Sequence, residues 1–165
     1  MQNTMKWTPI AAVIAAAIAL TLPGAGNAQA NPAHEHARHG KLTLDHGKKW
    51  PTDEALRTGM TNIRNLVEPQ LGAIHGGKLT ATQYSELAQE VELQVGTIVA
   101  NCKLDPKADA MLHLVIADIG TGVDAMAGKS TSVRPAQGAV SVVTALNEYG
   151  RSFNHPGWKP IHTGH

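Results

Sequence analysis

The chain has 165 residues, and its 14 Lys and Arg against 13 Asp and Glu give a formal net charge of +1. A near-neutral chain without a basic stripe or interleaved aromatic residues lacks the electrostatic footprint of a nucleic-acid-binding protein. Its single cysteine, Cys102, excludes an intramolecular disulfide.

The first thirty residues are typical of a secretory signal peptide. Lys6 supplies a positive start, and the apolar run Ile10 to Leu22 is shorter than the ~20 residues that span a bilayer. Ala28-Gln29-Ala30 matches an A-x-A cleavage site. Residues 1–30 are therefore predicted to be removed on export, into the periplasm if the host is a double-membrane bacterium. The alternative is an uncleaved membrane anchor.

Residues 31–50 are predicted to form a flexible, His-rich leader, because the segment is polar and has little to bury. His34, His36 and His39 lie close together in it. Neutral imidazoles in such a tract can collect Cu(II), Ni(II) or Zn(II) from solution. The alternative is a solvated spacer.

A first helix is predicted from Thr52 or Asp53, either of which can be its N-cap. Pro69 predicts a kink or an early end, and Gly76-Gly77 a turn. Its apolar face consists of Leu56, Met60, Ile63 and Val67.

A second helix begins after Thr80 or Thr82 and ends before Asp105-Pro106, an N-cap followed by proline at the first helical position. Its apolar residues follow a heptad-like spacing: Tyr84, Leu87, Val91, Val95, Ile98 and Cys102.

A third helix is predicted from Pro106 to about Ala127, with His113 on the shoulder of its apolar face. That face consists of Leu112, Ile116, Ile119, Val123 and Met126. A fourth helix begins near Pro135 and ends at His155-Pro156-Gly157. Its inward residues are Ala139, Val142 or Val143, Leu146, Tyr149 and Phe153.

Four amphipathic helices joined by short loops predict an all-α fold, an antiparallel up-down-up-down four-helix bundle over residues 51–160 with a tail at 161–165. In that topology Met60, Cys102, His113 and His155 collect near one end of the bundle. Thioether, thiolate and imidazole groups suit copper, and a Met/His pair can also hold haem iron.

Each of these four residues also has a purely structural interpretation. Met60 can be core filler, and Cys102 can be an inert buried thiol. His113 can be an ordinary surface or core histidine, and His155 can be a helix stop. Enzyme signatures such as H-E-x-x-H, G-x-S-x-G, a P-loop or a Rossmann glycine pattern are missing from the sequence, which predicts a protein that is not an enzyme.

The segment from Leu56 to Arg64 resembles the first helix of the cytochrome b562 and cytochrome c′ group of exported bundles. The resemblance implies that Met60 is an axial haem ligand and that a histidine late in helix four is the other. Arg151 stands at the aligned position, with His155 about one turn later. The c-type C-x-x-C-H motif is absent from the sequence, which excludes covalent haem.

The chain also resembles exported bacterial proteins without an assigned activity. The likeness covers four motifs: Gly47-Lys48-Lys49-Trp50, Asn101-Cys102-Lys103-Leu104, Ala108-Asp109 through Leu112-His113, and His155-Pro156-Gly157-Trp158.

The sequence thus predicts an exported metal-binding bundle, with copper sequestration or delivery as its function. Met60, Cys102, His113 and His155 are the predicted metal ligands, and the leader histidines an auxiliary collector. One alternative is a cytochrome-like protein holding haem b through Met60 and His155. Another is a metal-free periplasmic stress-response or adaptor module. The sequence specifies no protein partner.

Overall fold

The computed structural model describes residues 40–162, and this part of the chain is all-helical, as predicted. It contains no β-strand in that range, only isolated bridges at Asp45–Lys48 and Trp50–Phe153. None of the helices from 40 to 162 has both the length and the apolar character to cross a membrane. The helices are α1 (Glu54–Val67), α2 (Leu71–His75), α3 (Ala81–Asn101), α4 (Pro106–Met126) and α5 (Pro135–Ser152), with a 3-10 turn at Glu68–Gln70 between α1 and α2.

The helices begin where the capping residues predict. Asp53, Thr80 and Asp105 each accept a hydrogen bond from a first-turn backbone amide of the helix that follows. Pro106 and Pro135 occupy the first turns of α4 and α5, where a missing N–H costs nothing. Of the predicted kink or early end at Pro69, the structure shows the early end: α1 stops at Val67, and α-helix resumes in α2 only after the 3-10 turn.

The predicted fourth helix corresponds to α5. It ends at Ser152, earlier than the predicted end at His155. The reason is a competing backbone pairing: Trp50 N donates to Ser152 O at 2.8 Å, and Asn154 N donates to Trp50 O at 2.8 Å. Phe153 is therefore extended, and the start of α1 is joined to the end of α5.

The core consists largely of the predicted apolar faces. Ile116 and Val95 are only partly buried, and Val115 takes a buried place on α4. The largest fully buried side chains are Tyr149, Phe153, Leu56, Met60, Ile63, Ile98, Leu112, Ile119, Met126, Leu146, Val67 and Val91.

Residues 40–50 of the predicted leader lie against the bundle. Leu42 packs against the core, and Trp50 is buried with its indole Nε1 donating to Thr43 O at 2.6 Å. Residues 31–39 of the leader lie outside the described residues. Within 40–50, therefore, the leader contributes apolar surface to the fold.

Helices α4 and α5 approach so closely that their backbones touch at two glycines. A Cβ atom on Gly138 would lie 2.6 Å from Gly122 O and 2.7 Å from the Cβ of Ala125. A Cβ atom on Gly122 would lie 2.7 Å from Gly138 O. Backbone atoms cannot move aside as a flexible side chain can, so this contact requires glycine on both helices.

Gly138→Ala is therefore expected to destabilise the protein by about 1–3 kcal/mol, because the added methyl group overpacks the α4–α5 contact. Gly120→Ala is the matched control: it lies on α4, and its Cβ would meet nothing within 4 Å. That change is expected to be neutral or stabilising by up to about 1 kcal/mol. Urea unfolding measures the free energy of unfolding of both variants. Equal changes in Gly138→Ala and Gly120→Ala would contradict the close approach of α4 and α5.

Candidate functional site

The carboxylate of Asp53 joins the start of α1 to the end of α3. Its Oδ1 accepts from Leu56 N at 2.8 Å, its Oδ2 accepts from Lys103 N at 2.5 Å, and the Cys102 thiol also hydrogen-bonds to it. Burial raises the pKa of Asp53, but these hydrogen bonds and the nearby charge of Arg57 outweigh burial and leave the pKa lowered. Asp53 is therefore a carboxylate at neutral pH.

Cys102 is half-buried directly after α3. Burial, followed by the charge and hydrogen bond of Asp53 and the charge of Asp109, raises the pKa of its thiol to about 11. The side chain is a protonated thiol at neutral pH, so any metal that binds it must displace the proton.

His113 projects from α4 with a 62% exposed side chain. Its Nδ1 lies 2.9 Å from the backbone oxygen of Asp109 and 3.4 Å from Asp109 Oδ2. A carbonyl oxygen can only accept, so Nδ1 carries the hydrogen and donates it. In the neutral ring Nε2 then has a free lone pair, the arrangement that metal-binding histidines use.

His155 is held by the fully buried Tyr149, whose hydroxyl lies 2.9 Å from His155 Nδ1. Burial raises the pKa of Tyr149, so the phenol keeps its proton. Burial and the charge of Arg57 lower the pKa of His155, so the ring is neutral at pH 7. A buried hydroxyl proton needs an acceptor, which requires Tyr149 to donate to Nδ1 and places the ring hydrogen on Nε2.

Met60 is fully buried in the core. It lies seven residues after Asp53, about 10 Å along α1 at ~1.5 Å per residue.

Met60 is enclosed in the hydrophobic core, and His155 lines a pocket with Arg57, so the shared ligand set of Met60, Cys102, His113 and His155 stays a prediction. Among residues 40–162, no three His, Cys, Asp or Glu side chains are grouped as metal ligands. Asp109 is related to both Cys102 and His113: its charge contributes to the raised pKa of Cys102, and its backbone oxygen is bonded to His113. The leader histidines His34, His36 and His39 lie outside the described residues, and their role stays a prediction.

Sequence reasoning overlooked Arg57 and the role of Tyr149. Arg57 lies one turn after Asp53, and its Nη1 donates to Thr52 O at 2.8 Å and to Thr52 Oγ1 at 3.1 Å. The i, i+4 spacing of Asp53 and Arg57 was the available signal. Nothing in the apolar spacing distinguishes Tyr149 from its neighbours in the core.

Comparison with known proteins gives no match to a family model, a curated protein or a solved structure. The resemblance to the cytochrome b562 and cytochrome c′ group therefore stays a prediction.

Asp53→Asn is expected to lower the pKa of Cys102, because it removes a negative charge that disfavours the thiolate. Asparagine remains an efficient helix N-cap, so α1 is retained. The rate of iodoacetamide alkylation, measured against pH in native buffer, should rise at each pH relative to the wild type. Asp118→Asn, a charge-matched change on the exposed side of α4, should leave the rate unchanged. A pH–rate profile that is the same in Asp53→Asn and the wild type would contradict this account.

Proposed function

We propose that the protein is an exported copper-binding helical bundle that sequesters or delivers Cu(I), with Cys102 and His113 as its ligands. The observation that supports this most directly is the position of Asp109. Its backbone carbonyl orients His113 so that Nε2 has a free lone pair, and its charge acts on Cys102. The role is binding and not catalysis.

The chemistry of these groups suits a soft cation. Thiolate favours Cu(I), and imidazole is a common copper ligand. Cu(I) accepts low coordination numbers, so two protein ligands suffice. The negative charges of Asp53 and Asp109 disfavour the negatively charged thiolate of Cys102. For the same reason they attract a cation to this position.

The proposal includes the antiparallel up-down-up-down arrangement, which places the end of α3 beside the start of α4. Three contacts between α1 and α3 support it. Asp53 bonds to Lys103, Gly59 faces Ile98, and Asn62 bonds to Gln94, so residue numbers rise on one helix as they fall on the other. The proposal also includes export after cleavage of residues 1–30, and a supporting role for the leader histidines.

Cu(I) titration against a competing chelator, with protein beginning at residue 40, tests the ligand assignment. Wild-type protein is expected to bind one ion, and Cys102→Ser or His113→Gln to weaken binding by about tenfold or more. Because Cys102 has a pKa raised to about 11, binding releases its proton, and affinity should increase about tenfold per pH unit between pH 6 and 8.

The matched controls are His75→Gln, an exposed histidine on α2, and His155→Gln, which should both bind as the wild type does. Equal affinity in the wild type and a Cys102→Ala, His113→Ala double variant would reject the proposal. A second titration with protein beginning at residue 31 measures what the leader histidines add.

The two alternatives receive unequal support. The complete burial of Met60 gives no support to haem b. An adaptor module is supported by exposed apolar side chains such as Leu93 and Val99 on α3, at 68% and 59%. Nothing in the structure indicates which partner would cover Leu93 and Val99. The haem and adaptor alternatives therefore both stay predictions.

A further inference from the structure

An open pocket of about 280 Å³ lies between the outer side of α1 and the chain that follows α5. Its lining residues are all described, and they include a cation and several hydrogen-bond donors but no carboxylate. They are Arg57, Thr58, Thr61, Asn62, His155 and Pro156.

Arg57 supplies a fixed positive charge at this pocket. Its bonds to Thr52 run through Nη1 and hold the guanidinium in place. A guanidinium has five N–H donors, and both hydrogen bonds to Thr52 come from Nη1. Its other nitrogens can therefore donate to a bound group, and the charge assistance makes such bonds stronger than neutral ones.

His155 adds a neutral donor. Its Nδ1 accepts the proton of Tyr149, so its hydrogen is on Nε2, at the ring edge away from the buried phenol. The lowered pKa of His155, caused by burial and by Arg57, is consistent with positive potential at this position. The pocket lining thus offers a positive charge and hydrogen-bond donors to an acceptor.

The geometry points to a binding site for a small oxyanion in this pocket, with Arg57 and His155 Nε2–H as its principal donors. The ligand is a solute bearing a carboxylate or a phosphate group, since both present the oxygen acceptors that this set of donors matches. Thr58, Thr61 and Asn62 contribute hydroxyl and amide groups at the rim. This site is independent of the proposed copper ligands, because it uses neither Cys102 nor His113.

Titration of ¹⁵N-labelled protein with inorganic phosphate and with acetate, at ionic strength held constant by sodium chloride, tests the site. Saturable shifts are expected for the Arg57 side-chain Nε–H and for the backbone amides of Thr58 and Thr61. Arg57→Met should raise the dissociation constant by about tenfold or more, because it removes a charged donor. Arg151→Met is the matched control, an exposed arginine on α5 paired with Glu148, and it should bind as the wild type does.

Saturation by phosphate, by acetate or by both supports the site and identifies which oxyanion it prefers. Shifts that do not saturate with either anion, or equal dissociation constants in the wild type and Arg57→Met, would overturn it. If Arg57→Met does not fold, Thr61→Val decides, and unchanged affinity in that variant counts against the site. Cys102→Ser should retain anion binding, so failure of the copper proposal and failure of this one are distinguishable.

Discussion

The hydrogen bonds of the Asp53 carboxylate hold together the start of α1 and the end of α3. One oxygen accepts from the backbone amide of Leu56 and the other from that of Lys103. A single side chain therefore caps the N-terminus of α1 and fixes the end of α3 beside it. Because its folded pKa is lowered, ionised Asp53 stabilises the fold above the unfolded value of about 3.9. This contribution is lost as the pH falls through the lower folded pKa.

His113 and His155 differ in chemistry because their partners differ. His113 donates to a carbonyl and keeps a lone pair on Nε2, whereas His155 accepts from a phenol and keeps a hydrogen there. The neighbouring charges reinforce the difference, since the negative Asp109 lies beside His113 and the positive Arg57 acts on His155. One ring therefore suits a cation and the other an anion, although both residues belonged to one predicted ligand set.

The helices could be predicted because their signals are local. A cap such as Thr80 acts on the next turn, and each apolar face repeats within a few residues. The site could be predicted only in part. Cys102 and His113 follow from residue type, but the bond from Lys103 to Asp53 spans 50 positions, and the ring hydrogen of each histidine depends on a partner in the fold. The early end of α5 has the same cause, a pairing with the distant Trp50.

The raised pKa of Cys102 bears on the reactivity of this lone thiol. With a pKa of about 11, roughly one thiol in ten thousand is ionised at pH 7, and only the thiolate attacks disulfides. Burial, together with the charges of Asp53 and Asp109, thus disfavours attack of this thiol on disulfides. The same carboxylates require an incoming metal to compete with a tightly held proton. A hard ion gains little from sulfur in exchange for that proton, whereas soft ions such as Cu(I) favour thiolate, which is why the proposed ligand pair is assigned to a soft cation.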